Sequence, residues 1–128
     1  MERRIVNTKK APAAIGPYSQ AVRAGNLLFV SGQIPIDPET GGIVSGNTKE
    51  QSEQVMKNLF GILDEEKLTA QNVLKVTIFL KDMNDFNVVN SVYAEYFTTE
   101  PPARECVEVS RLPKDVNVEI SLIAGYFE

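Results

Sequence analysis

The segment NVLKVTIFL at residues 72–80 constrains this chain most, because its Leu74, Val76, Ile78 and Leu80 make an unbroken apolar row at period two. Such a row marks a strand buried on at least one side. It stands between two stretches of helical periodicity. Upstream, a helix is expected from about Thr48, with Thr48 and Gln51 in capping-box spacing and Val55, Leu59, Ile62 and Leu63 along one side. Downstream, a second helix from near Asn84 carries Phe86, Val89, Tyr93, Tyr96 and Phe97 on one face until Pro101-Pro102 stops it. Earlier in the chain, YSQAVRAGNLLFVSGQIPI holds two strand-like runs around Gly25-Asn26, a pair that accepts positive φ, and reads as a hairpin. The NTKKAPAAIGP before it reads as irregular and the DPETGGIVSGN after it as a loop. ARECVEVS and VNVEISLIAG close the chain as two strands joined by RLPKD.

The resulting order, ββαβαββ, has two helices among about five strands. Two helices cannot cover both faces of such a sheet, so the expected fold is α+β, one sheet with both helices packed on one side. No repeat, low-complexity tract or linker interrupts it, and residues 1–128 read as a single domain. The uncovered face keeps Phe29, Ile123 and Phe79 among polar residues. Either a monomer tolerates these scattered apolar side chains, or a second subunit covers them.

Composition narrows the chemistry. The chain contains no histidine, which removes Ser-His-Asp and Cys-His catalytic pairs and histidine-containing zinc sites. Proton transfer then falls to Glu, Asp, Lys, Tyr, Cys or water. A formal charge of −4 opposes a broad phosphate-binding surface, so no nucleic-acid partner is expected. No segment approaches the apolar length needed to span a bilayer, and the first residues do not form a leader, so no membrane partner is expected and the cytosol is the default compartment. The single cysteine agrees with a reducing compartment and would also fit a disulfide-free secreted domain.

If the last two strands pair as an antiparallel hairpin, placing Val109 opposite Val116 and Val107 opposite Val118 gathers four valines on the helix side. That register leaves Arg104, Cys106 and Glu108 on the other side, facing Ser121, Glu119 and Asn117. Glu105 falls on the valine side, and the pattern offers no account of it. A guanidinium, a thiol and a carboxylate then share one small area. Two readings fit: an ion pair across a solvated sheet face, worth about 0.2–1 kcal/mol, or a functional site.

Several stretches resemble the RidA (YjgF/YER057c/UK114) family: APAAIGPYSQAV at 11–22, LLFVSGQIP at 27–35, NSVYAEYF at 90–97 and PPARECVEVSRLPKDVNVEIS at 101–121. The likeness covers nearly the whole chain, with its motifs in the family's order. It implies a chorismate-mutase-like α+β fold, assembled as a homotrimer around a central barrel with ligand clefts between subunits. It also implies an enamine/imine deaminase that hydrolyses 2-imino acids, such as 2-iminopropanoate (the tautomer of 2-aminoacrylate) and 2-iminobutanoate, to 2-oxo acids and ammonia.

On these residues, Arg104 would hold the substrate carboxylate through two parallel hydrogen bonds, and Glu119 would position and partly deprotonate the attacking water. Cys106 has no imidazole to activate its thiol, so its backbone N–H and C=O are the expected contribution, with a regulatory thiol as the alternative. By motif, Tyr18 offers a hydroxyl and an aromatic wall or is an ordinary hairpin tyrosine. Ser31 and Gly32 allow close backbone approach or end a strand. Asn90 reaches the cleft or is a solvated helix residue, and Pro113 shapes the neighbouring loop. Ser121 departs from the family, many of whose members carry a second glutamate there. No metal or organic cofactor is implied, in keeping with the lack of a metal-ligand cluster, GxGxxG or P-loop pattern. The competing functions are a non-catalytic trimeric sensor of small 2-oxo acids and an RNA-directed inhibitor of translation. The second lacks the basic groove such a role needs.

Overall fold

β6 is the strand on which the sheet is organised, because it pairs on both sides and all its even-numbered side chains are buried. The structure, a computed structural model, describes residues 2–127. In chain order its main elements are β1 (Arg3–Val6), β2 (Ala21–Ala24), β3 (Leu27–Gln33), α1 (Thr48–Glu65), β4 (Val73–Leu80), α2 (Phe86–Tyr96), β5 (Ala103–Glu108) and β6 (Val118–Gly125). The strands form one mixed sheet in the order β1-β2-β3-β6-β4-β5, antiparallel except where β4 meets β5. Both helices pack on one face, over Leu28, Val30, Val76, Ile78, Leu80, Val118, Ile120 and Leu122. Phe60 of α1 meets Tyr96 at 4.9 Å and Phe97 at 5.7 Å between ring centroids, which joins the two helices to each other.

The α+β architecture is the expected one, but four local details differ. β1 was not foreseen: RRIV is a short edge strand in which only Val6 is buried, so it shows no alternation. The cap of α1 lies one residue earlier, with Asn47 and Glu50 bonding reciprocally to each other's backbone. Thr48 and Gln51 instead reach across to other loops. α2 is preceded by a short 3₁₀ turn at Met83–Asp85 and ends at Tyr96, before Pro101-Pro102 can act on it. In β4 a bulge lies between Val73 and Lys75, so Leu74 turns outward, 43% exposed, and Val73 is buried in its place.

The largest difference concerns the last two strands. β5 and β6 do not form a hairpin, since β4 lies between them and β5 runs parallel to β4. Arg104 is registered with Val76, Cys106 with Ile78 and Glu108 with Leu80, which puts all three on the helix side. Val107 is registered with Phe79 and is 45% exposed on the open face, where Glu105 lies 3.4 Å from Lys75. The valine pairing expected from the sequence is therefore wrong. As a sheet-edge strand, β5 does not need to bury its apolar residues. One of its polar side chains holds the turn that leads into α2: Glu108 Oε1 accepts the Met83 N–H at 2.8 Å.

The open face carries Ile5, Val22, Phe29 and Ile123 as successive cross-strand neighbours, with Phe79 further along. The segment before β2 starts against α1, where the Thr8 hydroxyl donates to Glu65 Oε1 at 2.8 Å, and one buried side chain holds it. Gln20 Nε2 donates to the carbonyls of Thr8 (2.9 Å), Ala11 (3.2 Å) and Pro12 (2.7 Å), and its Oε1 accepts the Thr8 N–H at 2.7 Å. This fastens the segment carrying Tyr18 to the sheet. Gln20→Leu, close in volume but without these bonds, is expected to lose about 2–4 kcal/mol of stability in urea denaturation, because buried backbone groups lose their partner. An unchanged midpoint would show that the segment holds itself.

Candidate functional site

The strand register divides the expected site residues between two places. On the helix side at the sheet edge, α2 orients Arg104. Its Nη1 donates to Asn90 Oδ1 at 2.7 Å, and its Cζ lies 4.7 Å from the Tyr93 ring centroid and 5.6 Å from that of Phe86. Asn90 is thus tied to Arg104 rather than free in solvent. One guanidinium edge is fixed while the rest stays exposed, the arrangement a planar carboxylate needs for two parallel hydrogen bonds. Arg104 borders a cavity of about 420 Å³ with Asn90, Tyr93 and Phe97.

Cys106 lies on the same side of β5 as Arg104. Burial raises its thiol above the ordinary cysteine value, and Arg104 partly offsets the rise. A thiol held protonated is a poor nucleophile. Its backbone is more available. The Val109 N–H bonds the Leu80 carbonyl at 2.9 Å, and in a parallel ladder inter-strand bonding alternates along the chain. The N–H and C=O of Cys106, three residues before, therefore point away from β4 toward the open edge.

Glu119 is registered with Phe79 on the open face, opposite in direction to Arg104. The two do not share a face within one chain, contrary to the expected hairpin. Nor is Ser121 opposite Arg104, since its partner is Thr77. Glu119 lines a cavity of about 470 Å³ with Tyr18, Gly32, Ile34, Pro113 and Lys114. Burial raises its carboxyl above the usual glutamate value, with no cation offsetting the rise. A side chain at position 32 would collide with this carboxylate, its Cβ falling 2.9 Å from Glu119 Cδ, so glycine makes room for the acid. The bulge between Val30 and Gln33 places Gly32 there.

Tyr18, half exposed, accepts a long 3.4 Å bond from the Ile15 N–H through its hydroxyl. Ser31 is next to Gly32, but its hydroxyl is engaged, donating to the Ser19 carbonyl at 2.6 Å. Tyr18, Gly32, Pro113 and Glu119 are thus together, with Ser31 beside them, and Asn90, Arg104 and Cys106 are together elsewhere. The sequence reading missed Gln20, Tyr93 and Lys114. Tyr93 was placed on the core stripe of α2, and only its spacing of three from Asn90 hinted that both could reach one arginine.

Fold and side chains define a small α+β domain that displays two polar clusters, one on each side of a single mixed sheet. The family model described as Endoribonuclease L-PSP matches residues 8–126. A RutC family protein of Pyrococcus abyssi is 56% identical, over 97% of this chain and 98% of that one. The human 2-iminobutanoate/2-iminopropanoate deaminase is 46% identical, over 95% of this chain and 89% of its own. Among solved structures, Escherichia coli TdcF with bound serine superposes with a TM-score of 0.92 at 41% identity, covering 97% of this chain and 99% of that one. The chain belongs to the RidA (YjgF/YER057c/UK114) family. No helix among the described residues is long and apolar enough to cross a membrane.

The Cys106 environment gives a direct check. Alkylation of wild type by iodoacetamide should still be accelerating above about pH 8.5, the free-thiol value, and Arg104→Ala should move the midpoint higher, because the arginine is the group lowering it. A midpoint below that of free cysteine would contradict the burial argument.

Proposed function

We propose that this chain hydrolyses small 2-imino acids to 2-oxo acids and ammonia in a homotrimer whose sites are each assembled from two subunits. Arg104, Asn90 and the Cys106 backbone come from one subunit, and Tyr18, Ser31, Gly32, Pro113 and Glu119 from its neighbour. The observation that carries this reading is the division itself. Each cluster has part of what imine hydrolysis needs, and a sheet prevents one copy from applying both to one small molecule. The apolar row on the open face supports a second copy there, since an exposed hydrophobic band favours association.

Arg104 binds the carboxylate and sets the plane of the C=N group. The free N–H and C=O of Cys106 hold the imine nitrogen. Glu119, ionised, takes a proton from water as the water oxygen bonds to the imine carbon, and a carbinolamine forms. Glu119 returns that proton to the nitrogen to complete the carbinolamine. It then relays the hydroxyl proton to the amine as the C=O bond forms and the C–N bond breaks, and the 2-oxo acid and ammonia leave. A carboxyl with a raised pKa suits both steps, being a stronger base when ionised and available to return the proton. The name of the human relative supports this chemistry. The description of the family model raises the alternative of RNA cleavage. A net charge of −4 and the lack of any histidine count against it.

The test generates 2-iminobutanoate with a dehydratase and follows the extra rate of 2-oxo acid formation. Wild type should accelerate release, and Arg104→Ala and Glu119→Ala should each lose about 100-fold or more. Co-expressing these two inactive variants should restore activity, because about a quarter of sites in random mixed trimers join two intact halves. Loss without restoration would mean that each half acts alone, and the composite site would be abandoned. Activity should also fall on the acid side at a pH above the ordinary glutamate value of about 4.3, since Glu119 must be ionised and its pKa is raised. Binding of 2-oxobutanoate without turnover by wild type would favour a sensor.

A further inference from the structure

The loop from β5 to β6 must pass the end of β4, and it does so with Lys114 at φ 55° and Asp115 at φ 57°, two successive non-glycine residues in the left-handed region. Lysine is ill suited to that conformation. Its Cβ crowds the backbone, and it lacks the short polar side chain by which Asn or Asp relieves the strain. Such strain persists only where the surroundings over-determine it.

Here they do. Leu112 and Val116, on either side of the turn, are both buried. The Asp115 N–H donates to the Leu112 carbonyl at 3.0 Å, and its carboxylate lies 3.2 Å from Lys81 Nζ. Asn117 closes the loop: its N–H donates to Gln51 Oε1 at 2.9 Å, its Nδ2 to Thr48 Oγ1 at 3.1 Å, and its carbonyl accepts the Lys81 N–H at 3.0 Å. None of these contacts uses the Lys114 side chain. That side chain has no carboxylate partner within 4.0 Å among the described residues, and Lys114 is one of the residues lining the cavity that holds Glu119.

We propose that the strained turn holds the Lys114 ammonium at the wall of this cavity as a second substrate-binding cation, one that captures small 2-oxo and 2-imino monocarboxylates. The chain as a whole repels such anions at a net charge of −4, and Glu119 repels them locally, so an uncommitted cation at the entrance favours their capture. Lys114 acts on binding and leaves the chemical step to Glu119. This rests on the cavity being part of the imine-hydrolysing site.

The experiment measures 2-oxobutanoate affinity by calorimetry, together with thermal midpoints, for wild type, Lys114→Gln, Lys114→Arg, Lys114→Gly and Arg104→Ala. At low salt, Lys114→Gln should bind about 5–10-fold more weakly, and the gap should shrink below about twofold in 0.5 M salt because screening then acts over a few ångström. Lys114→Arg should keep the affinity. Lys114→Gly should lose affinity as Lys114→Gln does, yet melt a few degrees higher, since glycine relieves the left-handed strain. A turn with only a structural role would leave the affinity of Lys114→Gln unchanged. That result, with Arg104→Ala still abolishing binding, overturns this proposal and leaves the site intact. A wild type that binds no 2-oxobutanoate overturns both.

Discussion

The alternation of side chains on β4 is the constraint on which the rest depends. Val76 is registered with Arg104 on one side and Leu122 on the other, and Phe79 with Val107 and Glu119. One strand therefore fixes which residues of two neighbours face the helices. A slip of one residue in either pairing would invert every side chain of that neighbour. The buried row Val76, Ile78 and Leu80 prevents such a slip of β6, because a shift of one residue would turn Val118, Ile120 and Leu122 out of the core. The core thus fixes the face of Glu119, and the parallel pairing of β5 with the Asn90 contact fixes the opposite face for Arg104. Their separation cannot be undone by local adjustment, so a site needing both groups must be made by association.

The elements that bury one whole face were legible in the sequence, and those at sheet edges were not. β4, the two helical stripes and the Gly25-Asn26 hairpin announce themselves by period and turn chemistry, since burial forces those patterns. β1 and β5 are edge strands with exposed, largely charged faces, so their sequences carry little alternation. Periodicity also says which way a residue points relative to its own strand, without naming the neighbour. The order β4-α2-β5 was the available signal, because a strand, helix and strand in succession favour a parallel crossover. The long connection from Glu108 to Val118 was another, since hairpins usually close in two to five residues. Arg104, Cys106 and Glu108 were correctly grouped because period two alone decides that. Glu119 was wrongly added to them because its placement required knowing the partner strand.

The two clusters also differ in how far one chain satisfies them. Arg104 is held by Asn90 and two aromatic rings, so much of the entropy of ordering a long side chain is already spent before any ligand arrives. Its pocket is preorganised. Glu119 has no cation offsetting its burial, and glycine at position 32 keeps space open around it. Tyr93, beside Arg104, buries its hydroxyl without a hydrogen-bond partner among the described residues. Lys114 stands in a conformation that lysine disfavours. The apolar core shows no comparable conflict. α1 is capped by Asn47 and the strands alternate wherever the sheet is covered; Lys67 and Glu100 also take left-handed backbone, Lys67 in closing α1, where its N–H donates to the Asp64 carbonyl. A chain whose local and global preferences agree across its core departs from that agreement at turns and at sites, and of the departures here Tyr93 and Lys114 are the ones that stand beside the two polar clusters.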